Sequence, residues 1–323
     1  MKKFITKLII FLGLGFCIFN FIIAPYLLNV ISRGNERLGF PLRVLRNILE
    51  VKDDSKFQVV KASEIPTDSE VLIIGDSVAR QLFPFNIFEH DKYLHLPSTA
   101  AITLAGQYIM IQNVLKNSPK IKKIILIIHP YSYRTNLNSQ YTYNYFIKHF
   151  YTFKNLKYLN KTVISRINQH PLCHLGIFPA IKITKLFSNV KYSGASRKEK
   201  TYFSKISLEY LQKIKELTKK KSLVILAFSP PLNTAIFPNK DFSTMISQIE
   251  HHKLQDIFVH YFEKMIFLNK SYFVDDAHFS KESVSIVREK FKRFLEYVLN
   301  RQNPKKIMNL FKPIDQLILE KVK

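Results

Sequence analysis

The 323-residue chain contains no tryptophan, only 8 glycines and only two cysteines, and its acidic residues number 24 against 49 lysines and arginines. Cys17 lies inside an apolar segment and Cys173 far outside it, so no intramolecular disulfide is expected. No Cys/His group has the spacing of a zinc site, and His251-His252 falls in a polar, helical-looking stretch that reads as a solvated face; no metal or cofactor is expected. No period of 20 to 50 residues and no low-complexity tract is present, which excludes a solenoid or a repeat array. The shortage of Gly and Trp beside abundant Lys, Ile, Phe, Tyr and Asn is the profile of an AT-rich genome and says little about fold. The acid deficit is more informative, because codon bias raises Glu along with Lys. A formal net charge of +25 draws a protein to polyanions: nucleic acid, anionic headgroups or acidic envelope polymers.

Hydrophobic residues make up 47% of the chain and aromatics 13%. That is too apolar for disorder and sufficient for one large core. No charged residue falls between Lys7 and Arg33, and Leu8 to Val30 is long enough to cross a bilayer as a helix. Lys2, Lys3 and Lys7 ahead of it predict a cytoplasmic N-terminus, with the remainder on the periplasmic or extracellular side. No small-x-small cleavage site ends the run, and Phe16 before Cys17 argues against lipoprotein processing. A signal anchor spanning residues 1–30 is therefore expected, and nucleic acid drops out as a partner.

Residues 31–65 read as a stalk, with a helical piece "LRVLRNILEV" and a polar connector. A β/α alternation then fills 66–300: strands in "EVLIIG", "KYLHL", "IKKIILIIHP" and "SLVILAFSPP", helices in "ITLAGQYIMIQNVLKN", "SLEYLQKIKELTKKK" and "SKESVSIVREKFKRFLEYVLN", the last capped near Ser280. Unbroken apolar strands separated by helices predict an α/β fold, a three-layer sandwich with a central parallel sheet. Residues 134–200, rich in Tyr, Asn, Phe and Lys, interrupt this rhythm and read as a mostly helical insertion. Its aromatics either pack a core or line a groove for sugar rings. The tail, 301–323, is amphipathic and suits a membrane surface or the domain's own flank.

The chemistry concentrates in two short stretches. In "VLIIGDSVAR", Ser77 follows the first core strand and opens a helix, at the carboxyl edge where α/β folds place their sites. Serine needs a base, and "FVDDAHFS" offers one: Asp275 and His278, three residues apart on a loop before the last helix. Asp276, at two residues' distance, points away more naturally.

Gly-Asp-Ser near the start and Asp-x-x-His near the end, in that order, resemble the SGNH (GDSL-type) hydrolase superfamily over roughly residues 66–300. The resemblance implies an SGNH/flavodoxin-like sandwich with Ser77 as nucleophile, His278 as general base and acid, and Asp275 as the orienting carboxylate. The Ser77 N–H would contribute to an oxyanion hole. The family's Gly-x-Asn-Asp block is missing after the third strand, where "HPYSYRTNLN" stands, and Asn136 and Asn138 come too late to align with it. The family's glycine block is also missing, since "LPSTAAITLAG" has no glycine before Gly106. Substitute donors or substrate contacts are sought among Asp76, Ser98, Thr99, Ala100, His129, Ser132 and Asn136. Membrane-anchored SGNH relatives that modify envelope polymers share the missing asparagine block. They imply an esterase or O-acyltransferase acting on a cell-envelope glycan or anionic polymer, with the lipid surface and a multispanning acyl-donor protein as partners. Two other readings are carried alongside: a catalytically inactive glycan-binding or scaffolding subunit of the same fold, and an anchored α/β protein with chance motifs.

Overall fold

The computed structural model describes residues 1–24, 26, 55–85, 92–99, 101–139, 142–170, 173–177, 202–237, 242–262 and 265–299. The stalk helix expected at 42–51, Ala100 and the tail 301–323 lie outside these.

Helix α1 (Lys2–Ile18) runs on through a π turn (Phe19–Ile23), giving one helix long and apolar enough to cross a membrane. The folded body begins earlier than residue 66. Helix α2 (Ser55–Ala62) sends Val59, Val60 and Ala62 into the main core, although its outward face made the segment read as a connector.

Four strands form a fully parallel sheet: β1 (Val71–Gly75), β2 (Tyr93–His95), β3 (Lys123–Ile127) and β4 (Val224–Phe228), in the order β2-β1-β3-β4. Pairing is in step along β1, β3 and β4, with Leu72 opposite Ile124 and Ile124 opposite Ile225. The period of two divides the strands between two cores. Leu72, Ile74, Ile124 and Leu126 face one core, with helices α4 (Leu104–Asn117) and, after the insertion, α7 (Lys205–Lys221). Val71, Ile73, Ile125 and Ile127 face the other, with α3 (Ser77–Leu82) and α10 (Lys281–Leu299). Both faces of the sheet are covered, which is why its strands read as continuous apolar runs. Phe291 and Phe294 of α10 are fully buried against the sheet, and each contributes about 1.5–3 kcal/mol.

The insertion, where described, is helical: a π turn (Tyr143–Ile147) into α5 (Lys148–Phe150), a 3-10 turn (Phe153–Tyr158), α6 (Lys161–Ile167) and another 3-10 turn (Cys173–Ile177). Its aromatics Tyr143, Phe146 and Phe150 are fully buried. They are core residues rather than a groove for sugar rings. After β4 come a two-residue β5 (Leu232–Asn233), helices α8 (Ser243–His251) and α9 (Gln255–Phe258), and β6 (Phe267–Leu268), which pairs with β5 in parallel. His251 ends α8 exposed, its ring against that of His252.

In this strand order, β1 has β2 on one side and β3 on the other, so the chain winds both ways from β1. That reversal opens a crevice at the carboxyl ends of β1 and β3, and Gly75-Asp76-Ser77 lies in it.

Candidate active site

Ser77 is the first residue of α3, half-buried at the end of β1. Its Oγ lies 2.8 Å from His278 Nε2, and His278 Nδ1 lies 2.8 Å from Asp275 Oδ2. The three residues singled out in the sequence, two of them 201 positions apart, form one hydrogen-bonded chain.

The loop 273–280 is built to hold this arrangement. Phe273 and Phe279 form an antiparallel bridge, and Val274 N–H donates to His278 O at 2.9 Å. Inside the bridge, Asp275 Oδ1 accepts from the amides of Ala277 at 2.8 Å and His278 at 2.7 Å. This turn returns the imidazole over its own carboxylate, and Asp276 has no part in it. Desolvation by partial burial raises the Asp275 pKa, but the two amides and the imidazole outweigh it, and the net result lies below the ordinary carboxylate value. An ionised carboxylate only accepts, so the proton sits on Nδ1 and Nε2 presents its lone pair to the Ser77 hydroxyl.

One clamp was not visible in the sequence. Gln81, one turn after Ser77 on α3, accepts from Phe279 N–H at 2.9 Å and donates to Phe279 O at 3.2 Å. Arg288 of α10 donates to Gln81 O through Nε at 3.0 Å and Nη2 at 2.9 Å. The helix that begins at Ser77 thus grips the loop that carries His278. The i, i+4 spacing from Ser77 was its only trace in the sequence.

The substitute donors fare differently. Asp76 is buried and accepts four hydrogen bonds: Val78 N–H at 3.0 Å and Ala79 N–H at 3.2 Å on Oδ1, His129 N–H at 2.8 Å and Ser132 Oγ–H at 2.7 Å on Oδ2. It caps α3 and fastens the end of β1 to the turn after β3 (Pro130–Arg134, a 3-10 turn). Asp76 and Ser132, sought as oxyanion or substrate contacts, thus engage each other and the fold through these hydrogen bonds. Ser98 N–H is likewise committed, to Gly75 O at 3.0 Å. Gln107 of α4 donates to Gly75 O at 2.8 Å and to Ala101 O at 3.0 Å, pinning the same corner from the other core. Thr99 Oγ1 is buried with no partner among the described residues, and so is Asn136 Oδ1. No hydrogen bond joins either to Ser77, Asp275 or His278. Replacing Asp76 by Asn turns one acceptor into a donor facing two donors, and is expected to cost about 2 kcal/mol in chemical denaturation.

His129 is the remaining candidate. It is buried, its Nδ1 accepts from Tyr131 N–H at 3.3 Å, and its rim is aromatic, with Tyr131 and Phe237 ring centroids at 5.2 and 5.9 Å. Acceptance at Nδ1 puts the proton on Nε2, which meets no partner among the described residues. Desolvation by burial, only partly opposed by Asp76, pushes its pKa down to about 4 from 6.5. The unfolded chain therefore binds a proton between those values that the folded chain refuses. Stability is expected to fall as pH falls through that window, by at most about 1.4 kcal/mol per pH unit from this group. His129→Gln should flatten that slope in denaturation midpoints measured from pH 7 to pH 4.

No family model matches the chain, and no curated protein matches it. Among solved structures it is similar to one described as a provisional platelet activating factor from Streptococcus pneumonia. The identity is 11%, covering 79% of this chain and 98% of that one, with a TM-score of 0.31.

Proposed function

We propose that the chain is a membrane-anchored serine esterase or O-acyltransferase of SGNH type, acting on a cell-envelope glycan or anionic polymer through an acyl-Ser77 intermediate. The observation that carries this reading is the Ser77–His278–Asp275 relay, with both contacts at 2.8 Å. It stands at the carboxyl edge of a parallel sheet.

In the mechanism, Ser77 Oγ attacks the acyl carbonyl carbon while His278 Nε2 takes the hydroxyl proton. Asp275 keeps the imidazole in the accepting tautomer and stabilises the imidazolium. The Ser77 N–H at the start of α3 faces the negative charge that develops on the carbonyl oxygen. His278 then returns its proton to the leaving oxygen, and the acyl group stays on Ser77. Water or a sugar hydroxyl next gives its proton to His278 and takes the acyl group, and His278 passes that proton to Ser77 Oγ as it leaves. Esterase and transferase differ only in that second acceptor.

A second reading is favoured by one specific observation. The Ser98 amide, the Asp76 carboxylate and the Ser132 hydroxyl are all occupied by the fold. A binding subunit with a preserved but idle relay has the same appearance, because one oxyanion donor contributes about 3 kcal/mol of transition-state stabilisation. Treating the chain with a fluorophosphonate probe separates the two. Peptide mass spectrometry is expected to find the adduct on Ser77, and His278→Ala to abolish it. A folded wild-type chain that stays unlabelled sinks the hydrolase reading and leaves the binding subunit.

A further inference from the structure

The sheet has two edges, and only one carries the relay. At the other, where the strands begin, the backbone gathers a continuous set of surface residues. Val71 N–H donates to Lys92 O at 3.1 Å, Lys122 N–H to Glu70 O at 2.9 Å, and Val224 N–H to Lys122 O at 3.0 Å. Thr67 N–H reaches Ser118 Oγ at 3.0 Å, and Asn117 Nδ2 reaches Glu64 O at 2.9 Å, which brings the end of α4 and the turn after α2 to the same edge. Exposed there are Lys92, Lys116, Lys122, Lys219, Lys220 and Lys221. Asp68 is answered by Lys120 at 2.9 Å, and Glu64 by Lys61 and Lys154, so those six lysines are in excess over Glu70 and Glu216. A helix C-terminus favours Lys219 to Lys221 by its dipole, but Lys92 and Lys122 belong to no helix.

Two further features lie at this edge. Large apolar side chains stand open to solvent: Ile65 is 42% exposed, Val224 48% and Phe153 53%. The anchor also ends here. Along its length α1 is bare, yet Asn20 and Ala24 at its far end are buried, and the Phe21 ring meets Phe153 edge-on with centroids 5.1 Å apart. Phe153 adjoins Lys154, whose Nζ pairs with Glu64.

We infer that this edge is a membrane-apposed face, which lays Ile65, Phe153 and Val224 into the headgroup region of an anionic lipid bilayer under a collar of lysines. Apolar side chains at the acyl boundary with lysine stems reaching to phosphates form a pattern that binds anionic interfaces. The charge, the exposed apolar side chains and the helix end coincide on one edge. An acidic polymer would use the charge but would not use the apolar side chains. The sheet then stands upright on the bilayer, and its five-residue strands hold Ser77 at least about 16 Å above that surface. The docking rests on α1 being a membrane anchor and not on the chemistry of Ser77. For the proposed enzyme it adds that the acyl acceptor lies out of the bilayer plane, in a polymer rather than a membrane lipid.

The absence of tryptophan makes a direct test possible. The full chain carrying Val224→Trp, or separately Val274→Trp on the catalytic loop, is reconstituted into lipid discs whose phosphatidylcholine bears brominated acyl chains, with or without phosphatidylglycerol. The indole at position 224 is expected to be quenched, more strongly with phosphatidylglycerol, and the one at 274 to be unaffected. Changing Lys122, Lys219, Lys220 and Lys221 to Gln should release the quenching, by roughly fivefold in the docked-to-free ratio for each lysine removed. Ile65→Trp repeats the measurement should Val224→Trp fold poorly. Quenching at 274 instead of 224, or no dependence on phosphatidylglycerol, overturns the inference. Loss of quenching on adding soluble polygalacturonate would also overturn it, assigning the face to a polymer. Failure of the fluorophosphonate reaction would leave it standing.

Discussion

Asp275→Asn is expected to slow fluorophosphonate labelling of Ser77 by about 10⁴-fold with little loss of stability. The asparagine oxygen can keep the turn by accepting from the amides of Ala277 and His278, as Asp275 Oδ1 does now. Its amide nitrogen would then face His278 Nδ1 where Oδ2 stands at 2.8 Å. A donor at that place forces the imidazole proton onto Nε2, and Nε2 can no longer accept from the Ser77 hydroxyl. His278→Ala removes the base outright and should cost more, on the order of 10⁶-fold. Second-order labelling rates, read beside thermal unfolding of each variant, separate chemistry from folding. An Asp275→Asn protein that labels at the wild-type rate would show that the contact is only architectural.

Gly75→Ala should have the largest effect on folding. Gly75 pairs with Ile127 across β1 and β3, and a Cβ there would stand 2.0 Å from Ile127 O and 2.6 Å from the Ala79 Cβ. Overpacking against side chains that can yield costs about 1–3 kcal/mol. Here the nearest atom is a backbone oxygen in a paired strand and the second belongs to the first turn of α3. Relief requires parting β1 from β3 or lifting the helix that starts at Ser77. A loss of about 4 kcal/mol or more is expected, seen as a lowered denaturant midpoint or as failure to obtain soluble protein. Gly106 is the milder case by distance: its nearest foreign atom is Ala101 Cα at 2.9 Å, a buried backbone atom whose carbonyl Gln107 holds. Gly106→Ala should cost less than Gly75→Ala.

The sheet was legible because burial on both faces leaves β1, β3 and β4 no polar alternation, and the runs around Leu72, Ile125 and Leu226 announced themselves. Helices α4, α7 and α10 were legible from their apolar spacing. Ser77, Asp275 and His278 were found because short-range chemistry fixes their neighbours: a strand end before the serine, and a three-residue turn between carboxylate and imidazole. What escaped depends on partners distant in sequence. Asp76 read as a possible substrate contact, yet its carboxylate is held by residues 53 and 56 positions downstream. Gln81 meets Phe279 across 198 positions, and no local pattern encodes that. Strands β5 and β6, at two residues each, are too short to show a period. Helix α2 reads as a connector because only Val59, Val60 and Ala62 mark its buried stripe.

The separation of Ser77 and His278 in the chain also bears on when they meet. Ser77 reaches its place as soon as β1 and α3 pack, but His278 arrives only when the segment after β6 has been made and α10 has docked, drawn in by Gln81 and Arg288. Closing a loop of 201 residues is a slow, late contact in any folding order that begins at the N-terminus. Until then Ser77 lacks its contact with His278, and so does any chain halted before residue 278. The order of synthesis thus acts as a timer, and a half-made chain holds Ser77 without its histidine.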